Sequence, residues 1–562
     1  MNFYKALLLL TCLFPTAIAN AQLSTYEQPF SFSLKGQMSE ISRGACQKVT
    51  TPSLDMAKIE AEDKEDEIND VPPRFGYPHI VSYDLNNSGT WYKLPNGDKL
   101  WQLNVVCPDA LSVNFTFDKF WIPEGGKFFV YSKDRKHHIG AFTSRNNDGS
   151  RENLGGFSTE LIYGSDVILE YYQPKGIVSD AVISVDKIVH GYRLFGDAGA
   201  CMVNINCEEG QNWQYEKKAV ARVLLNANRM CTGSLLNTTS LSETPLFLTA
   251  NHCISGLGDA AGYTTLSGNK NNIFYWNYEA PGCSNISEQP TNYTTRGAII
   301  VANNVVTDFA LLQLIEDPKN LPNYTPFYLG WDCTGDSGNA GVCIHHPMFD
   351  VKKISTVDGT PQSLYYTPGV VGKSHWRVYW QETANGYGTV EQGSSGAALL
   401  NAEHKVIGQE HNSLSDGCND PLMYTRFGKF SVSWTGNGND SIQRRLNYWL
   451  DPLNTGIQVL EGLLVLRTTK SLTVNEQIYS NIRIVQNGHL TVQGNVELMG
   501  NSRVIVESGG TLIIDGGTFL SSMVILDAGA SLIITNGGTL ETVNGFYAEN
   551  GSIVNIINGQ II

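Results

Sequence analysis

Short stretches in which apolar and polar residues alternate run through most of the chain and predict a mainly β protein. Residues 111–117 and 127–131 are two such stretches, and Gly, Asn, Asp and Pro separate them from their neighbours. We interpret residues 22–195 as one β-rich block built like a β-sandwich. It contains an acidic stretch, residues 58–70, that has too few apolar side chains to bury and predicts an exposed loop or a linker.

The central region, residues 196–463, is again rich in predicted strands. One helix is predicted over residues 441–450, where Ile442, Leu446 and Leu450 are apolar and Pro452 follows shortly after. This region also holds eight of the cysteines that remain once the first residues are set aside. We therefore expect a compact, cross-linked β domain here.

The last region, residues 464–562, is a repeat. Gly488, Gly509, Gly529 and Gly551 recur at intervals of 20 to 22 residues, and each introduces a short apolar run. A period near twenty, with short strands between Gly and Asn turns, is typical of a β-solenoid, in which each coil buries its apolar face on the next. Such a rod serves either as a passive spacer or cap, or as an attachment to a cell surface or a glycan.

The first 21 residues have the features of a secretory signal peptide. Lys5 precedes an apolar run over residues 6–19, and Ala19 and Ala21 are the small residues needed for cleavage before Gln22. The apolar run is too short to span a membrane. We therefore expect a protein that is secreted or displayed on the cell surface.

Charge and cysteine content narrow the set of partners. The formal net charge is −15, and a chain this acidic repels nucleic acid and anionic membranes.

Of the 11 cysteines, Cys12 lies in the signal peptide, and the even number that remains is typical of disulfides in exported proteins. Cys46 and Cys107 stand alone in the first block and could pair with each other. Because the Cys and His spacings match no zinc pattern, we expect neither a metal nor a cofactor.

Three residues of the central region have the order and setting of a serine protease triad. His252 follows an apolar strand, Asp308 precedes one, and Ser395 lies in a Gly-Ser-Ser-Gly turn. Peptide hydrolysis by serine needs an imidazole to accept the hydroxyl proton, a carboxylate to orient it, and N–H groups that stabilise the oxyanion. We expect the N–H groups of Gly393 and Ser395 to form that oxyanion hole. The order His, Asp, Ser is that of the chymotrypsin-like double β-barrel.

Several segments of the central region resemble the bacterial lysyl endopeptidase family, a branch of the trypsin-like serine proteases. The matching segments are residues 196–201, 231–235, 247–253, 275–278, 344–347, 393–396, 408–411 and 449–452. The resemblance implies that His252, Asp308 and Ser395 are the catalytic residues. It also implies three disulfides, Cys201–Cys418, Cys207–Cys283 and Cys231–Cys253. Cys333 and Cys343 have no counterpart in the family, and we expect them to bridge each other.

The substrate-binding residues implied by the resemblance depart from the family pattern at one position. Thr425 stands where the family has its specificity aspartate, while Glu391 matches a carboxylate beside the pocket and His411 is retained. Tyr366 or Thr367 lies near the place of a family tryptophan. A buried carboxylate favours Lys or Arg before the scissile bond. An aromatic or a broad preference is the alternative.

Members of the family are made with a prosegment, and residues 22–195 would supply it as an intramolecular inhibitor and folding aid. Release is expected after Arg193 or Phe195. Ser394 replaces the aspartate that pairs with the new N-terminal ammonium in trypsin-like enzymes, so this ion pair cannot form. The expected function is a secreted serine endopeptidase that cleaves proteins or peptides. The alternative is a non-catalytic surface adhesin or binding protein that keeps the protease fold.

Overall fold

The computed structural model describes residues 27–34, 46–69, 71–177, 179–193, 196, 198–255, 268–285, 293–339, 341–366, 372–415 and 417–562. The predicted signal peptide, Phe195 and Thr367 lie outside these residues. The mainly β fold is confirmed, with a sandwich, a closed barrel followed by a large sheet, and a solenoid. Among the described helices, none combines the length and the apolar character that a membrane crossing requires.

Two sheets packed face to face form the N-terminal region. Their inner faces meet in an apolar core in which aromatic rings such as Phe117, Phe120 and Phe157 contact one another. The first sheet contains the strands Lys48–Thr50, Thr90–Lys93, Lys99–Val106, Lys127–Ser132, His138–Phe142 and Asp166–Gln173. The second contains Gly76–Asp84, Ser112–Trp121, Gly155–Ser158, Ile162–Tyr163 and Val182–Gly191.

The acidic stretch forms a helix, Met56–Ile68, so the expected loop or linker is wrong. The side chain of Asp55 caps its first turn by accepting from the Lys58 N–H. The acidic side chains bind arginines that are far away in the sequence, Arg74 and Arg193 at Asp63 and Arg229 at Asp66. Local composition could not reveal these partners, because all three lie outside the acidic stretch.

A closed barrel of six antiparallel strands begins the central region. Most residues of these strands are buried because one side faces the barrel interior and the other is covered by neighbouring structure. The strands are Val220–Leu225, Arg229–Leu236, Leu246–Ala250, Gly268–Trp276, Tyr293–Asn304 and Phe309–Leu314. A short helix, Asn251–Ser255, follows the third of these strands.

A ten-stranded sheet with its own apolar cluster completes the central region. Its strands are Val203–Asn204, Gly330–Asp332, Gly341–His345, Lys353–Thr356, Gln362–Leu364, His375–Val378, Ala398–Asn401, Lys405–Ser413, Thr425–Lys429 and Val459–Leu460. A helix, Phe430–Thr435, follows it. The helix predicted over residues 441–450 divides into a 3₁₀ turn, Ile442–Arg444, and the helix Asn447–Leu450, because Arg445 is extended.

The C-terminal region is a solenoid of five coils with three strands in each coil, which confirms the predicted repeat. Each of its three sheets is parallel, and equivalent residues of successive coils lie in register. The first sheet contains Gly462–Leu466, Ser480–Ile484, Arg503–Val506, Met523–Leu526 and Phe546–Ala548. The second contains Thr469–Leu472, His489–Val492, Thr511–Asp515, Ser531–Thr535 and Ile553–Ile557. The third contains Glu476–Ile478, Asn495–Leu498, Thr518–Ser521, Thr539–Thr542 and Gln560–Ile561.

The solenoid is joined to the central region by packing as well as by the chain. The strand Phe327–Tyr328 pairs antiparallel with the first solenoid strand and extends its sheet. The His404 ring lies between those of Trp213 and Tyr479, with centroids 3.9 Å from each. One apolar cluster runs from the barrel through the coils as far as Leu540. The two regions therefore share a core.

Three disulfides are present, Cys201–Cys418, Cys207–Cys283 and Cys231–Cys253, which are the pairs implied by the family resemblance. The expected bridge between Cys333 and Cys343 is wrong, because both are free thiols buried in different apolar clusters. A Cys46–Cys107 bridge is not formed either, since Cys107 is a free thiol. Strand pairing sets Lys48 opposite Asn104, which keeps these two cysteines several residues apart along parallel strands.

The solenoid core generates a stability prediction. Leu532 is fully buried between coils, whereas Ile533, the next residue on the same strand, is half-buried on the outer face. We expect Leu532→Ala to lower the free energy of unfolding by about 2–5 kcal/mol, because it leaves a cavity between coils. Ile533→Ala should cost less than about 1.5 kcal/mol. Urea unfolding of both variants measures the difference, and equal losses would show that the assigned inward and outward faces are wrong.

Candidate active site

The side chains of His252 and Asp308 meet beside the closed barrel. Ala250 and Phe309 pair across two neighbouring barrel strands. His252 follows the first strand and Asp308 directly precedes the second, so the pairing brings them together. The Asp308 carboxylate accepts from the His252 backbone N–H at 2.9 Å through Oδ1, and its Oδ2 lies 2.7 Å from His252 Nδ1. Both oxygens of the carboxylate therefore fix the orientation of the imidazole.

The carboxylate of Asp308 is buried and stays ionised because histidines surround it. Burial raises its pKa, but the nearby His252 and His411 rings and the hydrogen bonds from His252 outweigh this, so the net pKa is lowered. The Asp308 backbone lies in the left-handed region, with φ 58°, and its carbonyl accepts from the Asn251 N–H at 2.7 Å. A short polar residue tolerates this conformation better than most others.

Ser395 lies in a tight turn that two glycines make possible. Gly393 and Gly396 have φ values of 94° and 85°. A Cβ atom at Gly393 would lie 2.9 Å from the His346 carbonyl oxygen. Thr232, on a strand of the closed barrel, donates its N–H to the Ser395 carbonyl at 2.9 Å and its hydroxyl to the Gly393 carbonyl at 2.8 Å. These contacts hold the turn against the barrel that also carries the histidine.

The turn also presents two unused hydrogen-bond donors. Neither the Gly393 nor the Ser395 N–H donates to any residue that the structure describes. The Cys231–Cys253 bridge links this turn to the histidine, because Cys253 Sγ lies 3.7 Å from the Ser395 carbonyl oxygen and 4.0 Å from His252 Nε2. His252 and Asp308 are therefore in direct contact, and Ser395 is connected to them through the contact of its backbone with Cys253.

A buried, neutral hydrogen-bond chain anchors the residue before Ser395. The Ser394 hydroxyl lies 2.7 Å from His345 Nδ1, and His345 Nε2 lies 2.8 Å from the Ser355 hydroxyl. The Ser355 hydroxyl in turn donates to the Thr389 carbonyl at 3.0 Å. Burial, and then the charge of Lys353, lower the pKa of His345 to about 3, so this ring is neutral at ordinary pH.

A second chain of hydrogen bonds approaches Asp308 from the other side. His375 Nε2 lies 2.9 Å from His411 Nδ1, and His411 Nε2 lies 3.8 Å from Asp308 Oδ2. The Ser374 hydroxyl lies 2.8 Å from His375 Nδ1. Burial and the neighbouring His411 lower the pKa of His375 to about 3, so it is neutral. With the Ser374 hydroxyl donating to His375 Nδ1, the proton of this neutral ring is on Nε2 and is donated to His411 Nδ1. The proton of His411 is then on Nε2, which faces the Asp308 carboxylate.

The His411 ring is held between the histidine of the site and an aromatic wall. Its plane lies nearly parallel to His252, with centroids 6.0 Å apart, and Tyr366 meets it edge-on at 5.1 Å. The Tyr366 hydroxyl accepts from the Asn412 side chain at 2.8 Å, and the Arg426 guanidinium lies over the Tyr366 ring at 4.7 Å. Tyr366 therefore packs directly against His411.

The remaining predicted substrate-binding residues, Glu391 and Thr425, are held by hydrogen bonds within the central region. The Glu391 carboxylate accepts from the Gly199 N–H at 3.1 Å and forms no ion pair among the described residues. Burial raises its pKa despite this hydrogen bond. Thr425 is fully buried, and its hydroxyl accepts from Trp380 Nε1 at 2.9 Å and lies 3.1 Å from the Ser413 hydroxyl.

Comparison with known proteins shows what the central region is similar to. Residues 195–421 match the profile of the lysyl endopeptidase C-terminal domain. This region is lysyl endopeptidase-like. The lysyl endopeptidase of Pseudomonas aeruginosa is 32% identical over 262 residues, which cover 43% of this chain and 52% of that protein. The chain thus matches about half the length of this relative.

Two solved structures match a part of the chain at low overall similarity. A serine endoprotease from Yersinia pestis is 16% identical, with a TM-score of 0.26, over 40% of this chain and 63% of that chain. The active form of the Rv3671c protease from M. tuberculosis is 14% identical, with a TM-score of 0.25, over 39% of this chain and 79% of that chain.

Several residues of the lysyl endopeptidase-like site could not be found from the sequence. His375 and Ser355 stand on strands of the ten-stranded sheet, and only strand pairing brings them to the site. Thr232 and His345 had a signal, since each lies in a segment that resembles the family, but nothing local indicates that they hold the Ser395 turn.

Two groups of side chains in the lysyl endopeptidase-like region have the composition of a metal site. His252, Asp308 and His411 present ligand atoms within 4.8 Å of one another, as do Cys231, His252 and Cys253. In the first group the Nδ1 of His252 already lies at hydrogen-bond distance from the carboxylate, and in the second both cysteines are oxidised to a disulfide. These donors therefore suit an acid–base network better than a metal ion.

The neutral state of His345 predicts how stability depends on pH. In the unfolded chain an imidazole takes up a proton near pH 6.5, whereas folded His345 stays neutral down to about pH 3. The unfolded state therefore binds more protons, and the stability that this site contributes is complete above pH 6.5 and is lost as pH falls toward 3. His345→Gln removes the group that takes up this proton on unfolding. Below pH 6.5, the free energy of unfolding of the variant should therefore fall by about 1.4 kcal/mol less per pH unit than that of the parent protein.

Urea unfolding at several pH values between 7 and 4, in a Ser395→Ala background, measures this slope. Ser355→Ala is the matched control, because it removes a hydrogen bond to the same ring and keeps the imidazole. We expect the control to be less stable at every pH with the slope of the parent protein. A His345→Gln slope equal to that of the parent would contradict the neutral relay.

Proposed function

We propose that this protein is a secreted serine endopeptidase in which Ser395 attacks the peptide carbonyl. His252 takes the hydroxyl proton and returns it to the leaving amine, and Asp308 holds the imidazole in the tautomer that the reaction needs. The substrate is a protein or peptide, and the reaction passes through an acyl-enzyme. No cofactor takes part in these steps.

The contact between His252 Nδ1 and Asp308 Oδ2, at 2.7 Å, carries this proposal. With Nδ1–H donating to the carboxylate, Nε2 is left as an acceptor that faces the side of Cys253 and Ser395. A buried, ionised Asp308 stabilises the imidazolium that forms when the proton is taken. This is the arrangement that a general base requires.

The oxyanion hole consists of the Gly393 and Ser395 N–H groups. Both donors are unused within the described chain and belong to the same rigid turn. Each such donor contributes on the order of 3–4 kcal/mol to transition-state stabilisation when it is aimed at the developing charge. The neutral chain through Ser394 and His345 keeps the turn in place without an N-terminal ammonium.

We further propose that the protease prefers Lys or Arg before the scissile bond and that Glu391 is the residue that recognises it. Burial raises the pKa of Glu391, and the carboxylate has no ion-pair partner among the described residues. A desolvated carboxylate of this kind gains free energy from a cationic side chain. Thr425, which replaces the family aspartate, supplies hydrogen-bonding capacity and no charge.

The N-terminal sandwich is proposed to be the prosegment, released after Arg193 or Phe195. Its helix Met56–Ile68 and Arg193 line a small cavity together with Gln392, the residue before the oxyanion turn. The Asp66 carboxylate of this helix binds Arg229 of the barrel at 2.8 Å. This ion pair and the shared cavity support a sandwich that lies beside the Ser395 turn and blocks the approach of substrate.

Export and attachment complete the proposal. The first 21 residues act as a signal peptide, and the mature enzyme works outside the cytoplasm or on the cell surface. The solenoid then holds the protease at a distance from its anchoring surface, with glycans as candidate contacts.

Labelling with a fluorophosphonate tests the nucleophile. We expect the matured protein and a Ser552→Ala control in the solenoid to be labelled, and Ser395→Ala to remain unlabelled. Asp308→Asn should lower kcat by about 10⁴-fold, because the imidazole then adopts the wrong tautomer. A matured, folded protein that takes up no label would instead support the non-catalytic adhesin.

Cleavage of a peptide library, read by mass spectrometry, tests the specificity. We expect products that end in Lys or Arg, and Glu391→Gln should lower kcat/KM for these sites by about 10- to 100-fold, the loss expected for a charged hydrogen bond. Glu403→Gln, an exposed position, is the matched control. Products that end mainly in aromatic or mixed residues would contradict the role of Glu391.

A further inference from the structure

The barrel strand Arg229–Leu236 has one edge that the neighbouring barrel strand uses only in part. Residues 234–236 pair there with the strand Leu246–Ala250. Nearer its start, the strand binds the nucleophile turn, because the Thr232 N–H donates to the Ser395 carbonyl at 2.9 Å. A strand edge beside a nucleophile can bind an extended peptide as a further strand.

A segment of the N-terminal region, Pro72–Phe75, pairs antiparallel with the start of this barrel strand. The Met230 N–H donates to the Pro73 carbonyl at 3.1 Å. The Phe75 N–H donates to the Asn228 carbonyl, also at 3.1 Å. The segment therefore lies on the barrel as a short additional strand.

This pairing lies next to the nucleophile turn. Alternate residues of a strand direct their N–H groups to the same side and are about 7 Å apart along it. The Met230 N–H, which binds the segment, and the Thr232 N–H, which binds the Ser395 carbonyl, are two such donors. Pro73 also lines one small cavity together with Gln392, the residue before the oxyanion turn. The segment therefore occupies the space beside the Ser395 turn.

The Phe75 side chain anchors the segment to the barrel. It is fully buried, and its ring meets that of Phe349 edge-on, with centroids 6.4 Å apart. Met230 of the barrel belongs to the same apolar cluster. The Arg229 guanidinium adds a hydrogen bond to the Pro72 carbonyl. The segment is thus held by its backbone and by a buried aromatic ring.

Further contacts of the N-terminal region also lie on the barrel. The Asn114 side chain donates to the Ala227 carbonyl, and the Arg296 guanidinium donates to the Gly156 carbonyl, both at 3.0 Å. His411, by contrast, stands on the ten-stranded sheet, as do other residues proposed to bind the side chain before the scissile bond. The barrel side is therefore left for the substrate residues that follow the bond.

We propose that the Pro72–Phe75 segment inhibits the uncut chain as a competing strand, by occupying the place of the substrate residues that follow the scissile bond. This proposal rests on the proposed endopeptidase activity and names the contact through which the N-terminal region controls it. Because proline has no N–H, the segment accepts hydrogen bonds at Pro72 and Pro73 and donates none. A substrate strand has N–H groups at these places, so it can make bonds that the segment cannot.

A disulfide that fixes the segment on the barrel tests the proposal. Arg74 and Arg229 lie opposite each other between the two backbone hydrogen bonds, and such pairs have Cα atoms about 4.5 Å apart, which suits a disulfide. We expect Arg74→Cys with Arg229→Cys to form this bond in the uncut chain, which a Ser395→Ala background preserves. The two single variants are the matched controls, because each loses the ion pairs of one arginine and leaves the segment free.

Two substrates with the same residues before the scissile bond distinguish the two sides of the site. One ends in a nitroanilide, and the other continues for several residues. After maturation and dilution, we expect the double variant with active Ser395 to cleave the longer substrate about 100-fold more slowly than the single variants, because two backbone hydrogen bonds and a buried ring hold the segment. Its rate on the nitroanilide should match theirs, and mild reduction should restore cleavage of the longer substrate.

Equal rates of the double and single variants on the longer substrate would overturn the proposal. Two more free thiols in the folded double variant than in the parent would overturn the strand pairing and the proposal with it. An equal loss on both substrates would show that the segment blocks the whole site, which also contradicts a competing strand on one side. Failure of the endopeptidase proposal is recognised separately, because the matured parent would then cleave neither substrate and take up no fluorophosphonate.

Discussion

One buried charge, the carboxylate of Asp308, imposes conditions on the whole site. Removing a carboxylate from water costs free energy unless donors replace the water. Here the donors are the backbone and ring of His252, with His411 facing the second oxygen. The barrel strands must hold these groups in register, and the Cys231–Cys253 bridge ties the histidine turn to the neighbouring strand. Donors therefore stay close to the buried Asp308 carboxylate because the paired strands, the disulfide and His411 are all in place.

A second constraint concerns the oxyanion turn. In the trypsin-like scheme a new ammonium group moves in and orders the turn, whereas this chain uses Ser394, His345 and Ser355, which are already hydrogen-bonded. Because His345 stays neutral, the hydrogen bonds that hold Ser394 do not depend on a charged group whose charge changes with pH. The site is thus organised by neutral, buried hydrogen bonds on one side and by an ionised carboxylate on the other.

The sequence was informative where the structure is local. Alternation of apolar residues predicted the sandwich, the order of His252, Asp308 and Ser395 predicted the barrel, and the glycine period predicted the solenoid. It failed where distant residues decide the outcome. Residues 58–70 look like a linker until Arg74, Arg193 and Arg229 neutralise them. Cys333 and Cys343 look like a pair, yet the sheet places them in separate clusters. His375 had no sequence signal, because only the pairing of His375–Val378 with Thr425–Lys429 brings it to His411.

The positions of the disulfides have a consequence for how the N-terminal sandwich is held. All three bridges lie between residues 201 and 418, so none of them ties the sandwich to the barrel. As long as the chain is intact, the sandwich is kept next to the barrel at an effective concentration that reaches the millimolar range for short connections. After a single cut between the two regions, the concentration of the sandwich around the barrel is only the concentration of the free fragment in solution. Dilution then favours separation of the two fragments, and this separation does not require the reduction of any of the three disulfides.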